Sequence, residues 1–341
     1  MRLRHEPLDV STRYPFRIAH GSRTAHDSVL VRLEHDGIEG LGEASPSHYY
    51  GENRRTVTAA LDCWSAVLGD DPLDLDAMEA RFDAALAPNA AARAALDMAL
   101  HDWIGKRLGL PVWRWLGFDR TRVPVSCVTL GMAEPAEMER KLADVAGFPR
   151  IKVKLGSPGD VENLRRIRSS YRGRLQVDAN AAWSPADAVR VLRSIEPLDI
   201  ALVEQPVARG DLDGLRWVRD RVGIPVYADE AVHRLSDVAL VAGRADGINI
   251  KLMKCGGIRE GLRMIHAAQA HGLKVMLGSM VETSLALSAA AQLAPVADEL
   301  DLDGHWLIAN DPFDGAPGDR GVLTLSDRPG LGVVPAGGAR A

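Results

Sequence analysis

The chain has 341 residues, 46% of them hydrophobic and 26% charged, with a formal net charge of −5. That suits a globular protein with room for one barrel of about 250 residues and an accessory domain. No basic run points to nucleic acid, no stretch reaches the roughly 18 apolar residues of a membrane span, and the N-terminus leads into no signal core, so a cytoplasmic protein is expected.

Over residues 1–120 strands precede helices. Val29-Leu30-Val31-Arg32-Leu33-Glu34 reads as a strand. Asp36-Gly37 reads as a hairpin turn and Ile38-Glu39-Gly40-Leu41-Gly42-Glu43 as the return. Alanine-rich helices are predicted over 53–68, 75–86 and 89–107, with an exit at Gly109. The order predicts an α+β domain. From 121 onward, strands are predicted over 123–130, 150–155, 174–179, 200–204, 225–229, 246–251, 273–278 and 299–303, with helices between them. Ser184-Pro185 reads as a helix start. A tail over 305–341, rich in Gly, Pro and Asp, shows no clear eighth helix and is expected to return to the first domain. The architecture expected is α/β: a (β/α)7β TIM-like barrel over 121–304 with an N-terminal α+β capping domain. Cys63, Cys127 and Cys255 lack zinc-like spacing and read as reduced thiols in or near the core.

Three of these strands run apolar residues into an acid. Asp178, Glu204 and Asp229 are 26 and 25 residues apart. The strands on either side carry lysines instead, in Ile151-Lys152-Val153-Lys154 and Ile248-Asn249-Ile250-Lys251. In a β/α barrel, strand C-termini converge on one site. Three carboxylates without His or Cys fit Mg²⁺ better than zinc. Lys152 and Lys154 share a strand face, as do Asn249 and Lys251, and lysines turned into a barrel need anions. The second and sixth strands lie opposite each other, so lysines from them approach a central substrate from two faces. A lysine crowded by cations has a lowered pKa and serves as a base. A carboxylate on the metal accepts charge when its α-carbon loses a proton. Two bases on opposite faces make racemisation or epimerisation the expected reaction.

The motifs Ile151-Lys152-Val153-Lys154, Val177-Asp178-Ala179-Asn180, Val203-Glu204-Gln205-Pro206, Ala228-Asp229-Glu230 and Asn249-Ile250-Lys251-Leu252-Met253-Lys254 resemble the enolase superfamily, in its muconate-lactonizing-enzyme-like subgroup. Lysine bases with Mg²⁺ are the known pattern of enolase-superfamily sites. Gly278-Ser279-Met280-Val281-Glu282-Thr283 and Asp301-Leu302-Asp303 narrow the resemblance to dipeptide epimerases of the L-Ala-D/L-Glu type.

The resemblance implies roles residue by residue. Asp178, Glu204 and Asp229 bind Mg²⁺, and Lys154 and Lys251 are the two bases. Lys152 steadies the substrate carboxylate and the enolate. Asp301 and Asp303 take the dipeptide's α-ammonium group. Thr129, Ser279 and Val281 contact substrate. Pro15 to Arg23 matches a mobile specificity loop in which Arg23 meets the distal carboxylate of a glutamyl residue. Tyr49-Tyr50-Gly51-Glu52 reads as a second lid loop, and His20 and His48 take no catalytic role. Lys254 is expected in the loop after the sixth strand, not as a base. A dipeptide partner, murein-peptide metabolism and a homo-oligomer are what the resemblance implies.

Rival readings rest on particular residues. A mandelate-racemase-like site uses a histidine from the seventh strand, and Lys274 to Ser279 holds none. Muconate cycloisomerase and o-succinylbenzoate synthase share the lysine pair but need no ammonium site. A non-catalytic barrel has no use for three acids and three lysines at one rim.

Overall fold

The structure, a computed structural model, describes residues 1–18 and 21–337. The chain opens with an antiparallel sheet of β1 (Arg2–Ile18), β2 (Gly21–His35) and β3 (Ile38–Ala44) in that spatial order. Helices α1 (Arg54–Ser65), α2 (Leu75–Ala85) and α3 (Ala90–Leu108) follow, then the short α4 (Val112–Trp115). Asn53 and Asn89 cap α1 and α3, and Gly109 ends α3 in the left-handed conformation. β3 lies almost on the α3 backbone. A Cβ at Gly42 would stand 1.9 Å from the Ala95 carbonyl oxygen, so only glycine fits there.

Eight parallel strands follow: β4 (Val128–Leu130), β5 (Arg150–Lys154), β6 (Arg174–Asp178), β7 (Ile200–Glu204), β8 (Val226–Ala228), β9 (Gly247–Lys251), β10 (Lys274–Gly278) and β11 (Glu299–Asp301). Each pairs with its neighbour in sequence order. A bridge between Ser126 and Leu300 joins the first to the last, closing the barrel. Helices α5 (Pro135–Val145), α6 (Asp160–Ser170), α7 (Pro185–Ile195), α8 (Leu212–Arg219), α9 (Leu235–Val241), α10 (Leu252–Cys255), α11 (Ile258–Ala270) and α12 (Ser284–Ala291) cover it. Ser184 caps α7 through its side chain. One helical turn, α13 (Gly304–Leu307), follows β11.

The tail then reaches the first sheet. Ala309 N–H donates to Ser11 O at 2.8 Å, and Asn310 Nδ2 donates to Asp9 O at 2.8 Å. Buried Asp102 of α3 accepts from Leu41 N–H of β3 at 2.9 Å and from Leu331 N–H of the tail at 2.8 Å.

Two elements differ from the sequence expectation. β1 was not expected, and Pro15 to Arg23 is not a free loop. Its described residues continue the β1–β2 ladder after a register shift between Ser11 and Phe16, and Arg23 pairs with Phe16. β1 is an edge strand, where Pro7 and Pro15 are tolerated although they break the alternation a strand is read from. His20 lies outside the described residues. Tyr49 and Tyr50 fall in a 3-10 turn, His48–Tyr50. The three cysteines are free; Cys127 is buried, and Cys63 and Cys255 are partly so. Among the described residues no helix is long and apolar enough to cross a membrane.

Candidate active site

The parallel register assembles the rim of the barrel. Lys154 sits beside Asp178, and Asp178 beside Glu204. Asp229 follows β8 by one residue. Lys251 ends β9 beside Gly278, which stands beside Asp301. Ile151, Val153, Ile248 and Ile250 pack outward into the core, so Lys152, Lys154, Asn249 and Lys251 turn inward. Asp178, Glu204 and Asp229 are buried and each offers an oxygen within 4.8 Å of the others. Lys154 Nζ is 2.6 Å from Asp178 Oδ2 at one end of this triad, and Lys251 Nζ is 2.7 Å from Asp229 Oδ2 at the other. Lys152 Nζ sits between them, 2.6 Å from Glu204 Oε2, 3.0 Å from Asp178 Oδ2 and 2.7 Å from Asp301 Oδ2.

The turns after the acids hold them in place. Asn180, Ala181 and Gln205 adopt positive φ of 43°, 61° and 35°, conformations that cost L-residues energy and cluster at functional sites. Asn180 N–H donates to Asp178 Oδ1 at 2.8 Å. Gln205 Oε1 accepts from the N–H groups of Asp229 and Ala231 at 3.0 and 3.1 Å. Asn249 Nδ2 donates to Glu204 Oε1 at 2.8 Å. A Cβ on Gly278 would come within 2.5 Å of the Asn249 amide. Lys254 lies in α10 rather than in a loop. Its ammonium donates to Asp229 Oδ1 at 2.5 Å and to the carbonyls of Asp229, Val232 and Asn249 at 2.6, 3.0 and 2.9 Å. Its donors are used up holding Asp229.

The side chains around Lys152 and Lys251 do not by themselves lower these two ammonium groups. Burial lowers the Lys152 ammonium, but Asp178, Asp301 and Glu204 outweigh it and hold it well above its ordinary value. Burial is likewise outweighed at Lys251, by Asp229 and Glu204. The reason is that both meet carboxylates first, and only Lys251 has another cation, Lys152, as a lesser neighbour. Burial opposes ionisation of Asp178, but Lys152 and Lys154 pull its carboxyl down to about 2. Burial and the neighbouring Asp178 push Glu204 up to about 8.

A cavity of about 450 Å³ opens above this cluster, with Lys152, Lys154 and Lys251 in its lining. Asp301, Asp303, Thr129, Ser279 and Val281 line it as well. Thr129 N–H donates to Asp303 Oδ2 at 2.6 Å, and Thr129 Oγ1 to Asp301 Oδ1 at 3.4 Å. Burial and then Asp301 push the Asp303 carboxyl up to about 6. The Ser279 hydroxyl bonds to the Asp301 carbonyl at 3.3 Å. The Val281 carbonyl accepts from Ser45 Oγ, beyond β3, at 3.0 Å. Arg23 reaches the same cavity from β2, and among the described residues no carboxylate lies within 4.0 Å of its guanidinium.

Other lining residues carried no assigned role in the sequence. Glu230 stands next to Asp229, accepts from Asn180 Nδ2 at 3.1 Å, and is pushed up to about 7 by burial and Asp229. Its place in Ala228-Asp229-Glu230 was the available signal. His26, held down to about 4 by burial and Arg23, and Phe16 enter only because β1 and β2 reach over the barrel mouth, which nothing in their local pattern reveals.

Comparison with known proteins places this geometry. Residues 4–117 match the mandelate racemase/muconate lactonizing enzyme N-terminal domain, and residues 135–338 match the enolase C-terminal domain-like family. The chain is 39% identical over 336 residues to an L-Ala-D/L-Glu epimerase of Bacteroides thetaiotaomicron, covering 98% of this chain and 88% of that protein. Among solved structures, a dipeptide epimerase from Enterococcus faecalis complexed with Mg and L-Leu-L-Tyr is similar with a TM-score of 0.93 and 32% identity, over 97% of this chain and 98% of that one. A substrate-liganded L-Ala-D/L-Glu epimerase from Bacillus subtilis is similar with a TM-score of 0.92 and 32% identity, over 98% and 99%. The chain belongs to the mandelate racemase/muconate lactonizing enzyme family of the enolase superfamily.

Proposed function

We propose that the protein is a dipeptide epimerase acting on L-Ala-D/L-Glu, a murein-type peptide, by 1,1-proton transfer at the α-carbon next to the free carboxylate. The observation that carries this reading is the placement of Lys154 and Lys251 at the two ends of one acid triad, both facing one cavity. One lysine takes the α-proton from one face, and the other returns a proton from the opposite face.

Asp178, Glu204 and Asp229 would hold Mg²⁺. Three buried carboxylates with no nitrogen or sulfur donor suit its preference for hard oxygen ligands. Bound there, Mg²⁺ supplies positive charge beside the substrate carboxylate, which favours loss of the α-proton and the free amine of a nearby lysine. Lys152 donates to the carboxylate as charge builds on it. Asp301 and Asp303 pair with the α-ammonium group, Thr129, Ser279 and Val281 fix the peptide between them, and Arg23 meets the glutamyl carboxylate. The epimerase names of the relatives support the reaction, and an Arg23 with no carboxylate partner among the described residues supports the acidic second residue.

The test is α-proton exchange of L-Ala-L-Glu with D₂O in the presence of Mg²⁺, followed by NMR. Exchange with appearance of the second epimer is expected. Absence of exchange across a dipeptide library overturns the reading.

A further inference from the structure

A second cavity, of about 310 Å³, adjoins the first where β1, β4, α5 and α13 meet. Phe16, Thr129 and Leu307 line both. Its charged groups are already engaged. Arg13 donates to the Ile308 carbonyl at 2.9 Å and lies 5.1 Å from the centre of the Trp306 ring. Lys141 Nζ is 2.9 Å from Glu137 Oε1, and Asp144 accepts from the Tyr14 hydroxyl at 3.3 Å. What the cavity has left to offer is apolar: Leu130 from β4, Val145 from α5 and the Trp306 ring.

Its position gives it a use. Thr129, in the shared wall, is bonded through its N–H to Asp303 and through its hydroxyl to Asp301. These acids hold the α-ammonium group in the reading above. The side chain of the first residue branches from the carbon that carries that ammonium, so it starts against this wall. Thr129 is fixed by its two hydrogen bonds, whereas Phe16 and Leu307, which share the wall, are only half-buried. We propose that the second cavity is the compartment for the first residue's side chain, and that it admits large aliphatic or aromatic groups where alanine reaches only the wall. This inference rests on the dipeptide reading.

The test compares kcat/KM for L-Ala-L-Glu, L-Leu-L-Glu and L-Phe-L-Glu, with Mg²⁺, by α-proton exchange. The larger dipeptides are expected within about tenfold of L-Ala-L-Glu. Val145→Phe, which fills the cavity, should lower L-Phe-L-Glu about 10–200-fold more than L-Ala-L-Glu, the range for a changed fit in a hydrophobic pocket. Trp306→Ala, which removes an aromatic wall, should likewise cost L-Phe-L-Glu more than L-Ala-L-Glu. The wild-type comparison stands even where a variant does not fold. A wild-type preference for L-Ala-L-Glu beyond about 200-fold overturns the inference while leaving the epimerase reading intact. An equal response of both substrates to the variants in folded protein does the same. No exchange with any dipeptide removes both.

Discussion

If Lys154 and Lys251 are the two bases proposed above, removing one should separate loss of the α-proton from its return. Lys154→Ala and Lys251→Ala should each lower epimerisation by about 10²–10⁴ or more, the usual worth of a general acid–base group. Each variant should still exchange the α-proton of one substrate epimer with D₂O, and the two variants should spare opposite epimers. Exchange of both epimers by both variants counts against the assignment. Asp303→Asn addresses the other end of the substrate. A hydrogen bond to a charged group is worth about 1.5–3 kcal/mol, so the dipeptide KM should rise about 10–100-fold with a smaller change in kcat. A substrate analogue without the amino group should not respond. Much of this constellation is legible in the sequence, because Lys152 and Lys154 alternate with Ile151 and Val153, and acids recur at the interval of one β/α unit. What props the acids up is not. Asn249 bonding Glu204, 45 residues away, and Lys254 bonding Asp229 leave no periodic trace.

At the scale of elements, the eight barrel strands fall inside the segments predicted for them, and α3 stands where an alanine-rich run predicted a helix. The β3–α3 contact is the tightest junction of the cap. Gly42→Ala forces a methyl group onto the Ala95 carbonyl and should destabilise the protein by about 1–3 kcal/mol or more, read from the midpoint of urea unfolding. An unchanged midpoint would mean that β3 does not lie as close as described. β1 escaped sequence reading for a physical reason. An exposed edge strand needs no apolar alternation, and its pairing is set by β2 and by tail residues about 300 positions away.

Over the whole molecule, cap and barrel are joined through buried acid. Glu43 of β3 accepts from the N–H and the hydroxyl of Thr283, next to the rim segment that carries Ser279 and Val281. Burial, opposed by these bonds, pushes its carboxyl up to about 7, and burial together with Glu43 pushes Glu282 up to about 8. A raised acid keeps its proton in the folded protein while the unfolded chain loses it. Stability from Glu43 is therefore full below about 4.5 and lost as pH rises toward about 7. The loss is on the order of 3 kcal/mol. Glu43→Gln should flatten the fall of Tm between these pH values, and an unchanged slope would discount the effect. Metal binding gives a second whole-molecule readout. Mg²⁺ should raise the wild-type Tm with a dependence on its concentration, EDTA should reverse the rise, and Asp229→Asn should remove it.

The tail contacts carry a consequence for biosynthesis. Ser11 and Asp9 receive their bonds from Ala309 and Asn310, so the outer edge of β1 meets these partners only after about 300 further residues have emerged from the ribosome. Until then the strand that leads toward the cavity lining presents unpaired N–H and C=O groups, a template for a neighbouring nascent chain. Its opening residues, Arg2-Leu3-Arg4-His5-Glu6, set charges along that edge during the interval. A chain released before Ala309 would keep every lysine and carboxylate of the barrel rim, yet leave the roof of the cavity above them as a sticky edge.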